Sequence, residues 1–258
     1  MSGAQPFRLD GQAAIVTGAS SGLGAIIADA LADAGCAVVL AARREQELER
    51  GAAAIVARGG RAVARRADLR DPAHAEDLVS TALGAFGRLD GVVLNAGAST
   101  IAAADDEDLA AFADVLAVNV TAQMALAAAA ARQMIGAGRG GWMIAQSSIL
   151  ARKAGTGPGV AAYSASKAAI EQLIRELARQ WAPHGIRVNG LAPGFFPTAM
   201  NAPMVADEGR LAQLVARIPL GRPGEPADLA GVAVFLASPA SGYITGQVIP
   251  LDGGMTCW

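Results

Sequence analysis

The stretch Thr17-Gly18-Ala19-Ser20-Ser21-Gly22-Leu23-Gly24 ends a short apolar run that begins at Ala13 and leads directly into an alanine-rich segment. Glycines here allow a sharp turn from a strand into a helix, and they let the first N–H groups of that helix approach a pyrophosphate. The helix dipole favours negative charge at that point. Any tight turn could use such glycines, but their place in the first β–α unit favours a dinucleotide site. Its residues would be Gly18, Ser20, Ser21, Gly22, Leu23 and Gly24.

The same letters also fit a different kind of site. Residues 18–22 match the Gly-x-Ser-x-Gly nucleophile elbow of serine hydrolases, which likewise needs a strand, a turn and a helix. A hydrolase requires a histidine base, and the chain has only His74 and His184. His184 follows Pro183 at a predicted helix end and has no obvious acid to orient it. The hydrolase alternative is therefore disfavoured.

The rest of the chain alternates short β-branched runs with long alanine-rich helical stretches, which is typical of β–α units around a parallel sheet. The sequence predicts strands at 13–17, 37–40, 61–64, 91–94, 142–146, 187–191 and 247–251. It predicts helices at 22–34, 45–58, 72–86, 106–135, 162–181 and 226–237. No linker divides residues 1–258, so we expect one α/β domain, with an irregular substrate lid at about 193–223.

Composition limits the possible partners. The formal net charge is −2 and aromatic residues make up 4% of the chain, which disfavours a nucleic-acid binder. No stretch of about 18 uninterrupted apolar residues suggests a membrane span, and no export signal opens the chain, so we expect a cytoplasmic protein. The two cysteines, Cys36 and Cys257, form neither a disulfide framework nor a metal cluster in this pattern, and we expect no metal.

The second predicted strand closes with Arg43-Arg44 rather than with an acid. An Asp or Glu there would hold the 2′-hydroxyl of the adenosine ribose, whereas arginine suits a 2′-phosphate through forked, charge-assisted hydrogen bonds. The pair could also be solvated residues at a helix start. We expect NADP(H) as the cofactor, with Arg43 ahead of Arg44.

Tyr163 and Lys167 are four positions apart in a chain with two tyrosines and two lysines. On a helix such residues share a face, so the ammonium would lie beside the phenol and lower a phenol pKa that starts near ~10. A phenol tuned in this way can pass a proton near neutral pH. The same spacing could equally be an ordinary surface pair.

Further motifs, in order along the chain, resemble those of the short-chain dehydrogenase/reductase superfamily. The resemblance extends over nearly the whole chain. These motifs are Asp68-Leu69, Asn95-Ala96-Gly97, Asn119, Ser147-Ser148, Pro193-Gly194, the ending at 243–247 and Asp252-Gly253-Gly254. The resemblance implies a doubly wound, Rossmann-type sheet of seven parallel strands in the order 3-2-1-4-5-6-7 with helices on both faces. It also implies a homotetramer in which the helices at 106–135 and 162–181 pack across subunits.

The resemblance also implies roles for individual residues. Tyr163 would be the proton donor, Lys167 would hold the nicotinamide ribose and keep the phenol pKa low, Ser148 would polarise the carbonyl, and Asn119 would anchor a water. Asp68 would bind the adenine, Asn95 would steady the cofactor side of the sheet, and Thr198 with Pro193-Gly194 would meet the carboxamide. Leu69, Ala96, Gly97 and Phe196 complete the implied cofactor contacts.

The spacing before Tyr163 departs from the family pattern. Most members place the catalytic serine thirteen residues before the tyrosine, whereas here that position is Leu150 and Ser148 lies fifteen before it. A two-residue insertion in the loop at 151–160 explains the difference, because loops absorb insertions cheaply. Either Ser147 or Ser148 could then act, and we favour Ser148. Arg152 and Lys153 would lie near the entrance to the site.

We therefore expect an enzyme that interconverts a ketone and a secondary alcohol. Within the family, 3-oxoacyl thioester reduction and polyol, sugar or bulky-ketone chemistry both stay open, because Arg139 matches the acyl-carrier-protein reductases and His184 does not. A catalytically silent NADP(H)-binding regulator is the alternative from another class. The apolar pocket for a small-molecule substrate would involve Ile149, Leu150, Phe195, Phe196, Met200 and Met204.

Overall fold

A computed structural model describes residues 6–155, 159–198 and 201–257, except for the side chains of residues 203 and 204. Its centre is a parallel sheet of seven strands in the order β3-β2-β1-β4-β5-β6-β7, as predicted. The strands are β1 Ala13–Thr17, β2 Ala37–Ala42, β3 Ala62–Arg66, β4 Gly91–Leu94, β5 Gly141–Gln146, β6 Ile186–Pro193 and β7 Val248–Leu251. Since β1 pairs with both β2 and β4, the strand order reverses at β1, and a crevice opens at the carboxyl ends there.

Helices cover both faces of the sheet. In chain order they are α1 Gly22–Asp33, α2 Glu45–Ala57, α3 Ala73–Phe86, α4 Leu109–Leu116, α5 Ala122–Ala137, α6 Ala161–Trp181, α7 Ala202–Val205, α8 Glu208–Val215 and α9 Pro226–Ala237. A π-helical turn, Ala117–Thr121, joins α4 to α5, and a short 3-10 turn, Ile149–Ala151, follows β5.

The core lies in two layers because successive strand residues point to opposite faces. Ile15 faces a cluster that includes Leu126 of α5 and Ile170 of α6, while Val16 faces a cluster with Ile27 of α1 and Leu229 of α9. Both faces of the central strands are therefore buried, which explains why they read as continuous apolar runs rather than alternating ones.

Three sequence expectations need correction. The stretch at 193–223 is not irregular throughout, since α7 and α8 lie within it. The helix expected at 106–135 begins at Leu109 and contains the π-helical turn. Strand β3 extends to Arg66, beyond the predicted end at 64, because it lies at the sheet edge, where charged side chains reach solvent.

One helical run, Leu109–Ala137, is long and apolar enough to cross a membrane by length and composition, although only 33% of its most apolar window is buried. The run comprises α4, the π-helical turn and α5, and its inner side packs on the sheet through Leu126 and Met134. It also carries the buried Asn119. This packing makes the run a layer of the fold.

Candidate active site

A cavity of about 440 Å³ lies at the carboxyl ends of the strands. All the residues predicted to bind the cofactor line it: Gly18, Ser20, Ser21, Gly22, Leu23, Gly24, Arg43, Arg44, Asp68, Leu69, Asn95, Ala96, Gly97, Tyr163, Lys167, Pro193, Gly194, Phe196 and Thr198. Ser148 lines it as well. The fold thus brings the glycine turn, the arginine pair and the Ser–Tyr–Lys group to one crevice, and their binding roles stay predictions.

The glycine turn has the geometry that a phosphate cradle needs. Gly18 and Gly22 have φ of 65° and 59°, which side chains rarely adopt. A Cβ on Gly24 would lie 2.4 Å from the Gly18 carbonyl oxygen, so only glycine permits this close approach. The first turn of α1 holds no acid, and its N-cap residue Ser21 makes no side-chain capping bond. The helix N-terminus is therefore free to bind an anion.

The turn is fixed to the neighbouring strand by Thr17 and Asn95. The Thr17 hydroxyl accepts from the backbone nitrogens of Asn95 and Ala96 at 2.9 and 3.1 Å. The Asn95 amide donates to the Thr17 carbonyl oxygen at 2.8 Å. These bonds hold the ends of β1 and β4 together, in agreement with the steadying role expected for Asn95.

Three arginines stand at the end of the cavity beside β2 and β3. The Arg70 guanidinium donates to both carboxylate oxygens of Asp114 at 2.8 Å, so its charge is matched. Arg44 donates to the Ser20 hydroxyl at 3.0 Å and reaches the Ser21 hydroxyl too. Arg43 makes no hydrogen bond with any described residue. Among these three, Arg43 interacts with the Asp114 carboxylate through charge alone, and its expected role at the 2′-phosphate stays a prediction.

The catalytic candidates Ser148, Tyr163 and Lys167 lie together, with Ser148 and Lys167 buried and Tyr163 partly exposed. The Ser148 hydroxyl is near enough to the Tyr163 phenol to lower the pKa of that phenol. The Lys167 Nζ lies 5.5 Å from the centre of the Tyr163 ring and donates to the Gln146 carbonyl oxygen at 2.7 Å. The ammonium therefore faces the ring and is bonded to the end of β5.

The pKa of the Tyr163 phenol shifts in the opposite direction to the sequence expectation. Burial raises the pKa of the Tyr163 phenol, and the Ser148 hydroxyl offsets this only partly. Burial lowers the pKa of the Lys167 ammonium from 10.5 to about 8. The expected lowering of the phenol pKa by Lys167 is wrong for the protein alone, because desolvation outweighs the attraction of an ammonium that faces the ring and is bonded elsewhere.

Asn119 lies in the π-helical turn and is 1% exposed. Its amide oxygen accepts from the Ala98 backbone nitrogen at 2.7 Å, and its amide nitrogen donates to the Ala98 carbonyl and the Ser166 hydroxyl, both at 2.9 Å. A Cβ on Gly97 would lie 3.3 Å from the Asn119 amide oxygen and 3.8 Å from Lys167 Nζ. Asn119 thus joins the loop after β4 to the helix that carries Tyr163 and Lys167.

The two serines after β5 have different partners. The Ser147 hydroxyl bonds the Glu171 carboxylate at 3.1 Å and lies 3.4 Å from the Lys167 carbonyl oxygen, so it faces α6. The Ser148 hydroxyl instead meets the Tyr163 phenol and accepts from the Leu150 backbone nitrogen at 3.2 Å. The geometry favours Ser148 as the serine that meets a substrate.

Arg152 and Lys153 are not among the residues that line the cavity, and their place near its entrance stays a prediction. Arg152 binds the Glu171 carboxylate, with Nε 3.0 Å from both oxygens. The Lys153 Nζ donates to the Met255 carbonyl oxygen at 2.9 Å. Both side chains fix the loop after β5 to other elements instead.

The predicted substrate residues form a separate apolar cluster beside the cavity. Phe195 packs with Ile149, Ile218 and Met255, and Leu150 contacts the same group. Val205 of α7 and Leu211 and Leu214 of α8 cover it, so α7 and α8 lie where a lid was expected. Phe196 packs instead in the α1–α9 layer and lines the cavity. Met200 and the side chain of Met204 lie outside the described residues.

The sequence reasoning missed three polar residues that line the cavity, which are Gln146, Asn201 and the Arg70 described above. The Asn201 amide accepts from the Thr198 backbone nitrogen and donates to the Phe196 carbonyl, both at 2.7 Å, and so shapes the loop after β6. Gln146 is 6% exposed, and both polar atoms of its side chain lack a partner among the described residues. Its place directly before Ser147-Ser148 was a signal, because that strand end faces the crevice.

The glycine turn offers an anion site in the same crevice that Ser148, Tyr163 and Lys167 line. This combination is typical of a dinucleotide-dependent oxidoreductase. The cradle and the unpartnered Gln146 amide fit a nicotinamide dinucleotide, since both supply polar groups that a bound molecule would satisfy.

Comparison with known proteins agrees with this class. The family model described as enoyl-(acyl carrier protein) reductase matches residues 18–256. The gluconate 5-dehydrogenase of Gluconobacter oxydans is 38% identical over 252 residues, which are 97% of this chain and 96% of that protein. The 2-dehydro-3-deoxy-D-gluconate 5-dehydrogenase of Escherichia coli is 38% identical over 250 residues, 96% of each chain.

A solved structure resembles the fold closely. The gluconate 5-dehydrogenase of Burkholderia cenocepacia, in complex with NADP and tartrate, superposes with a TM-score of 0.92 at 35% identity and covers 98% of both chains. The chain belongs to the short-chain dehydrogenase/reductase superfamily. The predicted family and reaction class, oxidoreduction at a CH–OH or C=O group, are confirmed.

The different partners of the two serines give a test. Ser148→Ala removes the hydroxyl that meets the Tyr163 phenol, so it should lower kcat by roughly 100-fold or more, as loss of a donor to a developing oxyanion does. Ser147→Ala should cost much less, because that hydroxyl faces α6. Steady-state rates with one ketone check both, and the reverse ranking would assign the role to Ser147.

Proposed function

We propose that the protein is an NADP(H)-dependent dehydrogenase that interconverts a secondary alcohol and a ketone on a sugar acid or polyol. The observation that carries the proposal is that Ser148, Tyr163 and Lys167 line the same cavity as the glycine turn, with the Lys167 ammonium facing the Tyr163 ring. The names and bound NADP of the relatives above support the same chemistry for this chain.

The chain's own residues would manage the charge on the substrate oxygen. Bound NADP(H) supplies or accepts the hydride at the nicotinamide C4 atom. During reduction the substrate oxygen gains negative charge, and the Tyr163 hydroxyl is placed to give it a proton. The Ser148 hydroxyl would donate a hydrogen bond to the same oxygen and so fix the carbonyl. In the oxidative direction the ionised Tyr163 phenolate would accept the proton of the alcohol hydroxyl, and the Ser148 hydroxyl would keep its hydrogen bond to the same oxygen.

Lys167 and Asn119 would support that proton transfer. With a pKa of about 8, the Lys167 amine can hold or release a proton near neutral pH. Its ammonium form would hold the nicotinamide ribose hydroxyls and favour the ionised phenol once the cofactor adds positive charge. Asn119 fixes the loop at Ala98 and would anchor a water that returns the proton from solvent.

Arg43 and Arg44 would recognise the 2′-phosphate that distinguishes NADP(H) from NAD(H). The Arg44 guanidinium already bonds the serines of the glycine turn, so it would bridge that turn and the phosphate. Arg43 is exposed and makes no hydrogen bond with any described residue, and it would supply the forked contact.

Two substrate classes stay to be separated by experiment. The relatives named above favour sugar acids and polyols, whereas the description of the matching family model refers to an acyl-carrier-protein reductase. NADPH oxidation with keto sugar acids, keto polyols and 3-oxoacyl thioesters separates them. Activity with the sugar acids or polyols and none with the thioesters is the expected result. The reverse would overturn the substrate assignment.

Three further expectations stay predictions. A homotetramer built on the helices at 106–135 and 162–181 is supported by the apolar surface of the Leu109–Ala137 run, where Leu109 is 78% exposed. The cytoplasm is the expected location. The stretch at 193–223 would act as a lid over the substrate, since α7 and α8 cover the Phe195 cluster. A catalytically silent regulator is disfavoured because the full Asn119, Ser148, Tyr163 and Lys167 set is present.

Tyr163→Phe tests the proton donor. We expect it to abolish turnover while NADPH affinity stays within about twofold, because the phenol oxygen is lost and the ring keeps its packing. Tyr243→Phe, which changes the fully exposed second tyrosine, is the matched control and should keep full activity. Turnover by the Tyr163 variant would refute the role, and fluorescence titration with NADPH reports the affinity.

Arg43→Asp tests the cofactor choice. An acid at this position would repel the 2′-phosphate and accept from a free ribose hydroxyl, so the kcat/KM ratio of NADPH to NADH should fall by roughly 100-fold or more. Arg50→Asp makes the same change of charge on the exposed side of α2 and should leave the ratio unchanged. An unaltered ratio in the Arg43 variant would show that another group reads the phosphate.

A further inference from the structure

The Glu171 carboxylate contacts residues on both sides of Ser148 in the sequence. Glu171 lies on α6, one turn after Lys167 and two turns after Tyr163, and it is 7% exposed. Its Oε1 atom is 3.1 Å from the Ser147 hydroxyl, on one side of Ser148. Both its oxygens are 3.0 Å from Arg152 Nε, on the other side.

The segment between these two contacts is the short 3-10 turn that Ser148 begins. The Ala151 backbone nitrogen donates to the Ser148 carbonyl at 3.0 Å, and the Arg152 nitrogen donates to the Ile149 carbonyl at 3.0 Å. Arg152 is the first residue after the turn, and its Nη2 also donates to the Val248 carbonyl of β7 at 3.1 Å. The turn is therefore fixed at both ends to α6.

We propose that Glu171, paired with Arg152, is a positioning residue that holds Ser148 in register with Tyr163 and Lys167. Tyr163 and Lys167 are on the same helix as Glu171, whereas Ser148 comes from the sheet. The Ser147 and Arg152 contacts with Glu171 join the two elements, so the distance between the Ser148 hydroxyl and the phenol depends on them.

The energetics agree with a geometric role. A carboxylate with 9% of its side chain exposed is costly unless it is paired, and apolar residues of similar size often stabilise a protein as well as a buried ion pair does. A charged hydrogen bond fixes the relative orientation of its two partners, whereas an apolar contact does not. Arg152 lies in the loop after β5, so the pair joins that loop to α6.

The inference rests on the proposed function, since the register of Ser148 matters only for a reaction at Tyr163. An error of about 1 Å in a reacting group can cost roughly 100-fold in rate. Loss of the pair should therefore lower the rate of the chemical step and leave cofactor binding unchanged, because Glu171 and Arg152 do not line the cavity.

The experiment uses Glu171→Gln, Arg152→Met and Arg152→Lys in the full-length protein. The matched control is Glu176→Gln on the same helix, which breaks the exposed Glu176–Arg179 pair with its contact of 3.0 Å. Measured quantities are kcat and KM for the ketone, the NADPH Kd by fluorescence, and deuterium uptake of residues 146–153 in the protein without cofactor.

Glu171→Gln and Arg152→Met should each lower kcat by roughly 10- to 100-fold with an NADPH Kd within about twofold of the wild-type value. Both should speed deuterium uptake at 146–153. Arg152→Lys should be faster than Arg152→Met, because it keeps the positive charge. The double variant Glu171→Gln/Arg152→Met should be no slower than the slower of the two single variants. Glu176→Gln should have the wild-type rate.

The inference is overturned if uptake at 146–153 stays at the wild-type level in the Glu171 and Arg152 variants. It is also overturned if kcat stays within about twofold of the wild-type value, or if kcat and NADPH affinity fall together, since that pattern indicates a general loss of the cavity. A wild-type protein that reduces no ketone with NADPH refutes the proposed function instead, and the uptake comparison still decides whether Glu171 holds the turn.

Discussion

The burial of the Lys167 ammonium beside the Tyr163 ring is the interaction on which the site depends. The residue is 4% exposed, and its Nζ has one close bond, to the Gln146 carbonyl. Removing a charge from water is expensive, and the cost appears as the fall of its pKa to about 8. An apolar side chain at position 167 would avoid this cost, so stability alone does not explain the lysine. We propose that the ribose hydroxyls of a bound cofactor supply the missing hydrogen bonds of the Lys167 ammonium.

The sheet makes this arrangement possible because it delivers separate strand ends to one crevice. β1 supplies the glycine turn, β4 supplies Asn95 to Gly97, and β5 supplies Gln146 to Ser148. The helix α6 then crosses this edge and presents Tyr163, Lys167 and Glu171 on one face, since they are spaced by one helical turn. Residues that are distant in the sequence are therefore brought together by the strand ends and by α6.

Most of the fold could be predicted because each strand and helix had a strong local pattern. β1 and β4 were located at their observed ends, and the glycine turn, Arg43 and the Tyr163–Lys167 pair pointed to the cavity. The π-helical turn at Asn119 was not predictable, since it depends on the contact with Ala98. The sign of the Tyr163 pKa shift and the partner of Arg152 also depend on tertiary burial. Gln146 and Asn201 were missed because single amides carry no spacing signal.

We propose that the Tyr163 phenol becomes a proton donor and acceptor only when the charge of the bound cofactor adds to that of Lys167 beside it. The chain has just two tyrosines, and Tyr243 is fully exposed, so tyrosinate absorbance measured against pH for the wild type minus the Tyr163→Phe variant isolates the Tyr163 phenol. Without cofactor we expect its pKa above the usual value, as burial requires. Saturating NADP⁺ should bring the pKa below that value, toward neutrality. A Tyr163 pKa that is unchanged or higher with NADP⁺ bound would contradict the account.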